Sequence, residues 1–498
     1  MLGRLEALID ASGVPGRIEA LLPVGPRPRQ LPVRSLLIAM VATQVGHRPA
    51  HLTRVHNALV SLGRDDQRRL GVLSSWKAGP HLLTYRQTEY TFGLVAKALA
   101  KKGPDGQPSE LLGRVCDQLL EASIPQAHKE ASLDLAVDWS DHEAFSCPPA
   151  VEGGPCADPE ASWGRRKSNQ PGRRDELFFG YEVQAATMVR KDNGPEVPEL
   201  VRRMLLTTAS VDPPRAFVAV LQGMAGSGIA LGDILVDSGY SHRIADHFAS
   251  PLRRLGAGLV MDLHPSDRGP KGTFGGAICC NGNLYCPATP RALMELVPLA
   301  RGATAGQVAA HDQMTAELSR YKLARVSAND GDGYHRLACP AVTGKLRCPV
   351  RPDSMALSHQ RPEVLFPPGG QPLCCTQQTL TVPPAVNAKT AQKYDYPSRA
   401  HRRSYARRTG VERTFSTTKD RASNDLTRGW CRLMGLSAIM VFIAASYVAR
   451  NLRVADAFDA RQAEDARRVA AGREPKKRKR RRQVPDEGAG PTAPDASP

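Results

Sequence analysis

Residues 405–419 read YARRTGVERTFSTTK, and the fold and chemistry that the sequence predicts are built around this stretch. Tyr405, Arg408, Glu412 and Lys419 fall at offsets 0, 3, 7 and 14 within it. At about 100° per residue, these four side chains share an arc of about 60° on one face of a helix. We expect this face to contact a phosphate backbone around one metal-binding carboxylate. The alternative is an ordinary amphipathic basic helix.

The composition indicates a polyanionic partner. The chain has 498 residues, with 67 Lys and Arg against 49 Asp and Glu, and a formal net charge of +18. Aromatic residues make up 5%, which argues against binding of single strands by aromatic stacking alone. A chain of this length accommodates about two to four domains with a sizeable core.

The sequence predicts neither export nor a membrane partner. The N-terminal stretch MLGRLEALIDASG carries two acids and lacks the apolar core of a signal peptide. The longest uncharged run, residues 433–449, is marginal for crossing a bilayer, and we expect a buried core helix there rather than a membrane span. The chain has 11 cysteines, an odd number, which without an export signal predicts thiols or metal ligands rather than a disulfide framework.

Residues 1–125 are predicted to form a helical N-terminal domain. Residues 31–46 and 51–63 carry apolar side chains at helical spacing between Pro- and Gly-containing turns. Several basic residues lie in this region, namely Arg48, Arg54, Arg64, Arg68 and Arg69. The pattern fits a DNA-binding domain, and it fits nearly as well a helical bundle without a nucleic-acid role.

Residues 126–455 carry alternating strand and helix patterns, which predict an α/β catalytic domain. Strands are expected at residues 132–139, 177–189, 202–210, 233–237 and 256–264, with helices at 213–225 and 242–255. The first strand is expected to end at Asp138 and the fourth at Asp237. This order of elements is that of a ribonuclease H-like domain, in which helix 405–419 would be the last required piece.

Residues 265–400 are predicted to interrupt this domain as a Cys-rich insertion that contains β-structure. Four thiolates complete a structural Zn²⁺ site, and the candidate ligands are Cys280, Cys286, Cys339, Cys348, Cys374 and Cys375. No pair among them has the tight CxxC spacing. The alternative is therefore a β-rich insertion with reduced, partly buried thiols.

Residues 456–498 are predicted to form a basic, disordered C-terminal tail. The tail contains KKRKRRR at residues 476–482, and blocks of like charge are usually disordered. This run is either a nonspecific phosphate-binding segment or a solvated tail without a dedicated role.

Three acids, Asp138, Asp237 and Glu412, are the candidate catalytic residues and metal ligands. The first and fourth strands of a ribonuclease H-like core are neighbours, so their ends converge. Magnesium prefers oxygen ligands and retains several waters, so a few carboxylates and a substrate phosphate are enough to bind it. Two such ions about 4 Å apart activate the attacking oxygen and neutralise the leaving oxygen of an in-line displacement.

Other acids compete for these roles. Asp134 shares a strand face with Asp138, but it lies further from the predicted strand end. Asp233 precedes its strand, whereas Asp237 is followed by a turn, SGYS, that exposes it. Asp141 is either a supporting acid near the site or simply solvated.

The helix supplies the candidate DNA contacts. Arg408 suits a phosphate as a planar fork, and Lys419 suits it as a point charge. Tyr405 either stacks or hydrogen-bonds near the scissile strand, or it packs in the core.

The spacing Y-x2-R-x3-E-x6-K resembles, without departure, the signature of insertion-sequence transposases of the DDE class. The resemblance covers roughly residues 130–450. It rests on Asp138, Asp237, Tyr405, Arg408, Glu412 and Lys419. It implies cut-and-paste DNA transposition with Mg²⁺ or Mn²⁺ as cofactor. Water first cleaves DNA at the element end, and the freed 3′-hydroxyl then attacks target DNA.

The resemblance also implies partners and a location. Expected partners are double-stranded DNA, as terminal inverted repeats and as target, and further copies of the chain in a synaptic complex, as a dimer or larger. The expected location is the bacterial cytoplasm, at the nucleoid. Many members excise through a hairpin that a Trp stabilises, but neither Trp139 nor Trp430 can be assigned that role. The Cys-rich insertion differs from the β-strand inserts typical of the signature, which leaves the hairpin route open.

Three hypotheses follow for function. The first is an active transposase, since no catalytic acid is missing. The second is a decayed or domesticated transposase that acts only as a DNA-binding protein. The third is a metal-dependent nuclease without strand transfer.

Overall fold

A mixed α/β fold built around one large sheet forms the centre of the molecule, as the sequence predicts. The computed structural model describes residues 1–25, 29–76, 79–100, 106–151, 153–166, 174–300 and 302–476. Met1–Ala455 form one compact unit, and the described residues from Asp456 onward form a second. This division sets no boundary near residue 125, so a separate N-terminal domain stays a prediction.

The first part of the chain is mainly helical, because apolar side chains recur there at helical spacing. Its elements are α1 (Leu2–Ala11), α2 (Val14–Glu19), α3 (Val33–Val45), α4 (Leu52–Val60), α5 (Arg64–Arg69), β1 (Leu73–Trp76), β2 (Gly79–Leu82), α6 (Tyr85–Leu99), α7 (Glu110–Ala122) and α8 (Gln126–Lys129). The predicted helices 31–46 and 51–63 correspond to α3 and α4. The antiparallel hairpin of β1 and β2 is a feature that the sequence pattern does not predict.

The central sheet is built from antiparallel and parallel parts. Its strands and connecting helices are β3 (Leu135–Glu143), β4 (Ser162–Arg166), β5 (Glu176–Met188), β6 (Val201–Thr208), α9 (Pro213–Gly226), β7 (Asp233–Val236), α10 (Ser238–Ser241), α11 (Ala249–Arg254) and β8 (Gly258–Met261). β5 pairs antiparallel with β3 along one edge and with β4 and β6 along the other. β7 and β8 extend the sheet beyond β3, and both run parallel to it.

Three expectations for this sheet are wrong. The first strand does not end at Asp138 but continues to Glu143, because β5 pairs with it along its whole length. The helix predicted at residues 242–255 is divided into a 3-10 turn and α11, because Phe248 leaves the helical conformation with φ −147°. β4 lies partly where a basic loop is expected.

The two faces of the sheet are covered by different helices. Leu135 and Val137 of β3 are buried with α9 and α11 on one face. Ala136, between them, faces the other side and joins a core that contains α1, α3, α7 and the C-terminal helices. The alternation of strand side chains therefore places the sheet between two helical layers.

The insertion is α/β rather than only β-containing. Its elements are β9 (Pro270–Phe274), β10 (Ala277–Cys280), β11 (Asn283–Tyr285), α12 (Arg291–Met294), α13 (Ala305–Tyr321), β12 (Ala324–Arg325), β13 (His335–Ala338), α14 (Leu373–Thr376) and β14 (Leu380–Val382). They include two three-stranded antiparallel sheets, β11-β10-β9 and β12-β13-β14. The chain then returns along β8, where the Lys393 N–H donates to the Leu259 carbonyl at 2.9 Å.

The stretch 405–419 is not one uninterrupted α-helix, which corrects the prediction. α15 (Arg399–Tyr405) passes through a 3-10 turn, Ala406–Arg408, into α16 (Thr409–Lys419). Because a 3-10 turn advances faster per residue than an α-helix, the predicted 60° arc does not describe the four side chains. α16 packs against β3 and β5, with Val411 and Phe415 buried beneath it.

The long apolar run forms the core of the last helix, α17 (Leu436–Ala470). Among the described helices, α17 is the one with the length and composition to cross a membrane, with a mean hydropathy of 1.4 in its apolar window. Inside the structure, 89% of that window is buried. The prediction of a buried core helix is confirmed. Of the basic run 476–482, only Lys476 belongs to the described residues.

Candidate active site

Three carboxylates meet around one guanidinium at the point where β7 ends. Arg408 Nη2 lies 2.5 Å from Asp138 Oδ2 and 3.7 Å from Asp237 Oδ2. Arg408 Nη1 donates to Glu412 Oε1 at 2.6 Å. The structure thus brings together the three predicted acids and one of the predicted cations.

The parallel pairing of β3 with β7 explains why two of these acids converge. Ala136 lies opposite Leu235, and Asp138 and Asp237 each follow two residues later. β7 ends there because Asp237 is the N-cap of α10, where its carboxylate accepts a hydrogen bond from the Gly239 N–H at 3.0 Å. Both carboxylates therefore stand at one level of the sheet, although Asp138 lies within its strand rather than at the strand end.

The turn after Asp237 has no room for a side chain at its second residue. The Trp139 ring packs on Tyr240, with ring centroids 4.7 Å apart. A Cβ atom on Gly239 would lie 2.3 Å from Trp139 Cη2 and 3.1 Å from Asp237 Oδ1. Gly239 is therefore required because the indole occupies this space, and Trp139 helps to define the turn that presents Asp237.

The helix that carries Glu412 lies close to the sheet. A Cβ atom on Gly410 would lie 2.7 Å from Val189 Cγ1, so this glycine permits the close approach. Glu412 follows two residues later, in the first turn of α16, and 51% of its side chain is exposed. The side chains of Asp138 and Arg408 are only 16% and 10% exposed. The site is therefore buried on the side of the sheet and open on the side of Glu412.

Burial, with a smaller contribution from neighbouring negative charge, raises the pKa of Asp138. Burial raises the pKa of Asp138 to about 7, and the nearby Asp237 and Glu412 carboxylates add to this rise against the opposing effect of Arg408. Burial disfavours the charged form of Arg408, yet the surrounding acids hold the pKa of its guanidinium above the ordinary value. The three acids therefore favour positive charge at this point of the structure.

The two competing acids belong to a separate network at the other end of the paired strands. Arg407, fully buried, donates to Asp134 Oδ2 at 2.5 Å and to Asp233 Oδ2 at 2.8 Å. Lys393 Nζ lies 2.8 Å from the same Asp233 oxygen. Here two carboxylates face two cations, so the network is electrically balanced and holds the beginnings of β3 and β7 together.

Lys419 lies at the end of α16, where its Nζ is 3.2 Å from Asp141 Oδ1. Arg166, on β4, donates to Asp141 Oδ2 at 2.6 Å and to Glu143 Oε1 at 2.9 Å. Burial of Asp141 would raise its pKa, but Lys419 and Arg166 hold the pKa below its ordinary value. Asp141 is therefore an ion-paired acid, not a solvated one.

Tyr405 lies at the end of α15 and packs against the core. Its ring is stacked on His401, with centroids 5.6 Å apart and an interplanar angle of 14°. Burial raises the pKa of its phenol. These contacts describe a packing residue beside Arg408, and a DNA contact for Tyr405 stays a prediction.

Sequence reasoning missed Arg166, Arg407 and Lys393. Arg166 belongs to the strand that the pattern does not predict, so no positional argument points to it. Arg407 precedes Arg408 in a run of basic residues, and composition alone does not separate the two. The arginines predicted in the N-terminal region are not all free either, since Arg68 and Arg69 form ion pairs with Asp65, Asp66 and Glu6.

The six candidate zinc ligands of the insertion are free, buried thiols, whereas Cys279 beside them is partly exposed. All 11 cysteines of the chain are unpaired. The Cys374 and Cys375 sulfurs are 3.9 Å apart. Burial raises the pKa of Cys286 to about 12, and the thiols of Cys339, Cys375 and Cys348 add to it. No three sulfurs of the described chain lie within 4.8 Å of one another. The zinc site stays a prediction, which zinc analysis of the full-length protein decides.

His242, His264 and Asp267 form a cluster of side chains that could bind a metal ion. Within the described residues, their potential ligand atoms all lie within 4.8 Å of one another. The two imidazole rings lie 3.9 Å apart. Other contacts already engage these groups: Lys389 Nζ is 2.8 Å from Asp267, and His264 Nδ1 accepts a hydrogen bond from the Ser266 N–H at 3.2 Å. The sequence pattern does not indicate this group.

Comparison with models of known protein families finds no match, and comparison with curated protein sequences finds none either. The functional argument therefore rests on the geometry described above.

Proposed function

We propose that the chain is a DNA transposase of the DDE class with a ribonuclease H-like catalytic core. The strand order supports this proposal: β6, β5 and β3 are antiparallel neighbours, and β7 and β8 follow in parallel. The positions of the acids support it as well. Asp138 lies on β3, Asp237 follows β7, and Glu412 lies on the helix that covers β3 and β5.

One observation carries the proposal, and it is an imbalance of charge. Asp134 and Asp233 are matched by Arg407 and Lys393, one cation for each carboxylate. Four residues further along the chain in each case, Asp138 and Asp237, with Glu412, face Arg408 as the one cation of the described residues within ion-pair distance. A buried cluster of carboxylates that lacks counter-charge is suited to bind cations.

The donor set fits the metal that the proposed class uses. Carboxylate oxygens are the ligands that Mg²⁺ and Mn²⁺ prefer, and Asp138, Asp237 and Glu412 would hold two such ions. When bound, these ions supply activation of the attacking oxygen and neutralisation of the leaving oxygen in phosphoryl transfer. The sheet fixes two ligands rigidly, and the exposed Glu412 leaves one side open for DNA.

The cations around the acids have distinct roles in this proposal. Arg408 and Lys419 contact DNA phosphates on either side of Glu412 along the chain. Tyr405 supports Arg408 from the core.

The partners in this proposal are double-stranded DNA, as terminal inverted repeats and as target, and a second copy of the chain in a synaptic complex. The location is the bacterial cytoplasm.

An excision assay tests the proposal. The gene with its own flanking DNA is placed in a plasmid, and the rejoined donor is amplified for wild type and for Glu412→Gln. We expect product with wild type and a loss of at least about 100-fold with Glu412→Gln, because the variant removes a metal ligand. Glu317→Gln, which changes an exposed carboxylate on α13, is the matched control and is expected to excise normally.

The outcomes separate the competing hypotheses. Cleavage without joined donor–target product would indicate a nuclease without strand transfer. Intact DNA binding with no product from either protein would indicate a decayed or domesticated transposase. Equal excision by wild type and Glu412→Gln would contradict the assignment of the acids.

A further inference from the structure

Arg408 occupies the oxygen atoms that a metal ion would use. Its guanidinium is within hydrogen-bond distance of Asp138 Oδ2 and Glu412 Oε1, and it lies 3.7 Å from Asp237. A divalent cation and this guanidinium therefore compete for the same ligands. Without DNA, the guanidinium lies where the proposed metal ions would bind.

The guanidinium is not fully satisfied where it lies. Arg408 Nε is buried and has no hydrogen-bond partner in the described structure. In the neighbouring Arg407, by contrast, all three guanidinium nitrogens have partners. Its Nε donates to the Ser404 carbonyl at 3.0 Å. Its other two nitrogens donate to Asp134, Asp233, the Arg190 carbonyl and Ser404 Oγ. An unpaired buried donor carries a free-energy cost. A further acceptor near Arg408 would remove that cost.

The surroundings identify this acceptor by its chemistry. Glu412, the partner of Arg408 Nη1, is half exposed, so the site is open to solvent on this side although the Arg408 side chain itself is only 10% exposed. A planar guanidinium binds a phosphodiester group through two parallel hydrogen bonds. A DNA phosphate that binds Arg408 would draw it from the carboxylates and free their oxygens.

We propose that Arg408 couples DNA binding to metal binding: it pairs with the three carboxylates in the DNA-free protein and releases them when it binds a DNA phosphate. This inference rests on the proposed function of the site. Because coupling between two ligands is reciprocal, a divalent cation strengthens DNA binding by the same factor by which DNA strengthens cation binding. The DNA-free enzyme is thereby kept poorly loaded with metal.

The test measures Mn²⁺ affinity of the full-length protein by electron paramagnetic resonance of free Mn²⁺. The probe is Mn²⁺ alone, or Mn²⁺ with a short DNA duplex at low salt, where basic proteins bind DNA without sequence preference. For wild type, we expect the duplex to raise Mn²⁺ affinity by about tenfold or more. For Arg408→Gln, we expect tighter Mn²⁺ binding without DNA and a much smaller effect of the duplex.

Arg413→Gln is the matched control. It removes one positive charge from α16, the helix that follows Arg408, but Arg413 pairs with Glu199 and is 56% exposed. If general electrostatics alone were responsible, Arg413→Gln would strengthen Mn²⁺ binding as much as Arg408→Gln does. That result, or weaker Mn²⁺ binding by Arg408→Gln, would overturn the proposal.

Two further measurements keep the outcome decisive. If Arg408→Gln does not fold, Arg408→Lys keeps the charge but loses the planar fork, and the duplex should then raise Mn²⁺ affinity less than in wild type. An absent duplex effect in wild type would itself refute the coupling. If Glu412→Gln and Asp138→Asn leave Mn²⁺ binding unchanged, the acids do not hold metal and the proposed function fails, whatever Arg408 does.

Discussion

At the scale of single residues, two adjacent arginines have different tasks. Arg407 connects the acids at the beginnings of β3 and β7, and Arg408 connects the acids four residues later in each case, Asp138 within β3 and Asp237 just after β7. The first set is balanced and closed, and the second is short of positive charge. Strand register thus produces one structural network and one candidate catalytic network from similar residues.

Replacing Arg407 should destabilise the fold strongly. Arg407→Met leaves Asp134 and Asp233 buried with only Lys393 beside them, and loss of one partner from a buried ion pair costs about 3–5 kcal/mol. Arg413→Met, at an exposed pair, should cost less than about 1 kcal/mol. Urea unfolding of both variants measures the difference. Similar losses for the two would contradict the structural role of Arg407.

The raised pKa of Asp138 predicts a pH dependence of stability without divalent cations. The folded protein holds a proton on Asp138 up to about pH 7, whereas the free carboxyl loses it near 3.8. Stability therefore falls as pH rises through this interval. Asp138→Asn should become more stable than wild type over the same interval. Above pH 7, its free energy of unfolding should exceed that of wild type by about 1–4 kcal/mol. Chemical unfolding in EDTA at several pH values measures this difference.

Asp141 supplies the control of opposite sign. Burial alone would raise the pKa of Asp141, but Lys419 and Arg166 lower it below the ordinary value of 3.8. The ion pairs of Asp141 therefore stabilise the fold fully above pH 3.8. This stabilisation is lost as the pH falls through the lower pKa of the folded state. Asp141→Asn should be less stable than wild type at neutral pH, with the difference vanishing in acid. A pH-independent difference for either variant would argue against the assigned electrostatics.

At the scale of elements, turns and short strands decide what the pattern of residues could predict. The predicted strands at Asp138 and Asp237 exist because their apolar runs are continuous, and the convergence of the acids followed from strand order. The 3-10 turn before Thr409 depends on how α15 and α16 pack, which residue spacing along the sequence does not encode.

β4 contains Gly164 and two arginines in five residues, so its sequence resembles that of a loop. α13 begins with a capping box, Thr304 with Gln307, which is a helix-start signal present in the sequence itself.

The turn after β7 gives a prediction at this scale. Gly239→Ala places a Cβ against the Trp139 ring, and overpacking of this kind costs about 1–3 kcal/mol. Because the shift also moves Asp237, excision should fall together with stability. The control is Gly223→Ala on α9, where nothing lies within 4 Å of the added Cβ and a gain of about 0.5–1 kcal/mol is expected. Thermal unfolding that ranks the two variants in the other order would contradict the packing argument.

At the scale of the whole molecule, the N-terminal helices and the central sheet share one hydrophobic core through α17. Gln44 of α3 accepts a hydrogen bond from Ser446 at 2.7 Å, and Asn451 of α17 donates to the Val201 carbonyl of β6 at 2.9 Å. Sequence patterns gave the helices but not this arrangement, because periodicity shows which face of a helix is apolar and not which partner covers it.

A truncation tests this arrangement. A fragment that begins at residue 131 leaves the apolar face of α17 without α1, α3 and α7, so we expect it to aggregate or to lose cooperative unfolding. A fragment that ends at Ala470 keeps every helix of the shared core and should unfold at a temperature close to that of the full chain. Circular dichroism and sedimentation of both fragments measure the outcome. A monomeric, cooperatively folded fragment 131–498 would show that the first part of the chain is dispensable.

The burial of α17 also has a consequence for how the protein is made in the cell. Within the chain, a ribosome synthesises α3 and α7 before α17, the helix that they help to cover. If α3 and α7 have already folded, the apolar part of α17 can pack against them as soon as it leaves the ribosome. A chain whose early helices are delayed presents about 18 apolar residues to chaperones and to the membrane-insertion machinery. We therefore expect slower folding of α3 and α7 to lengthen the exposure of the apolar part of α17 during synthesis.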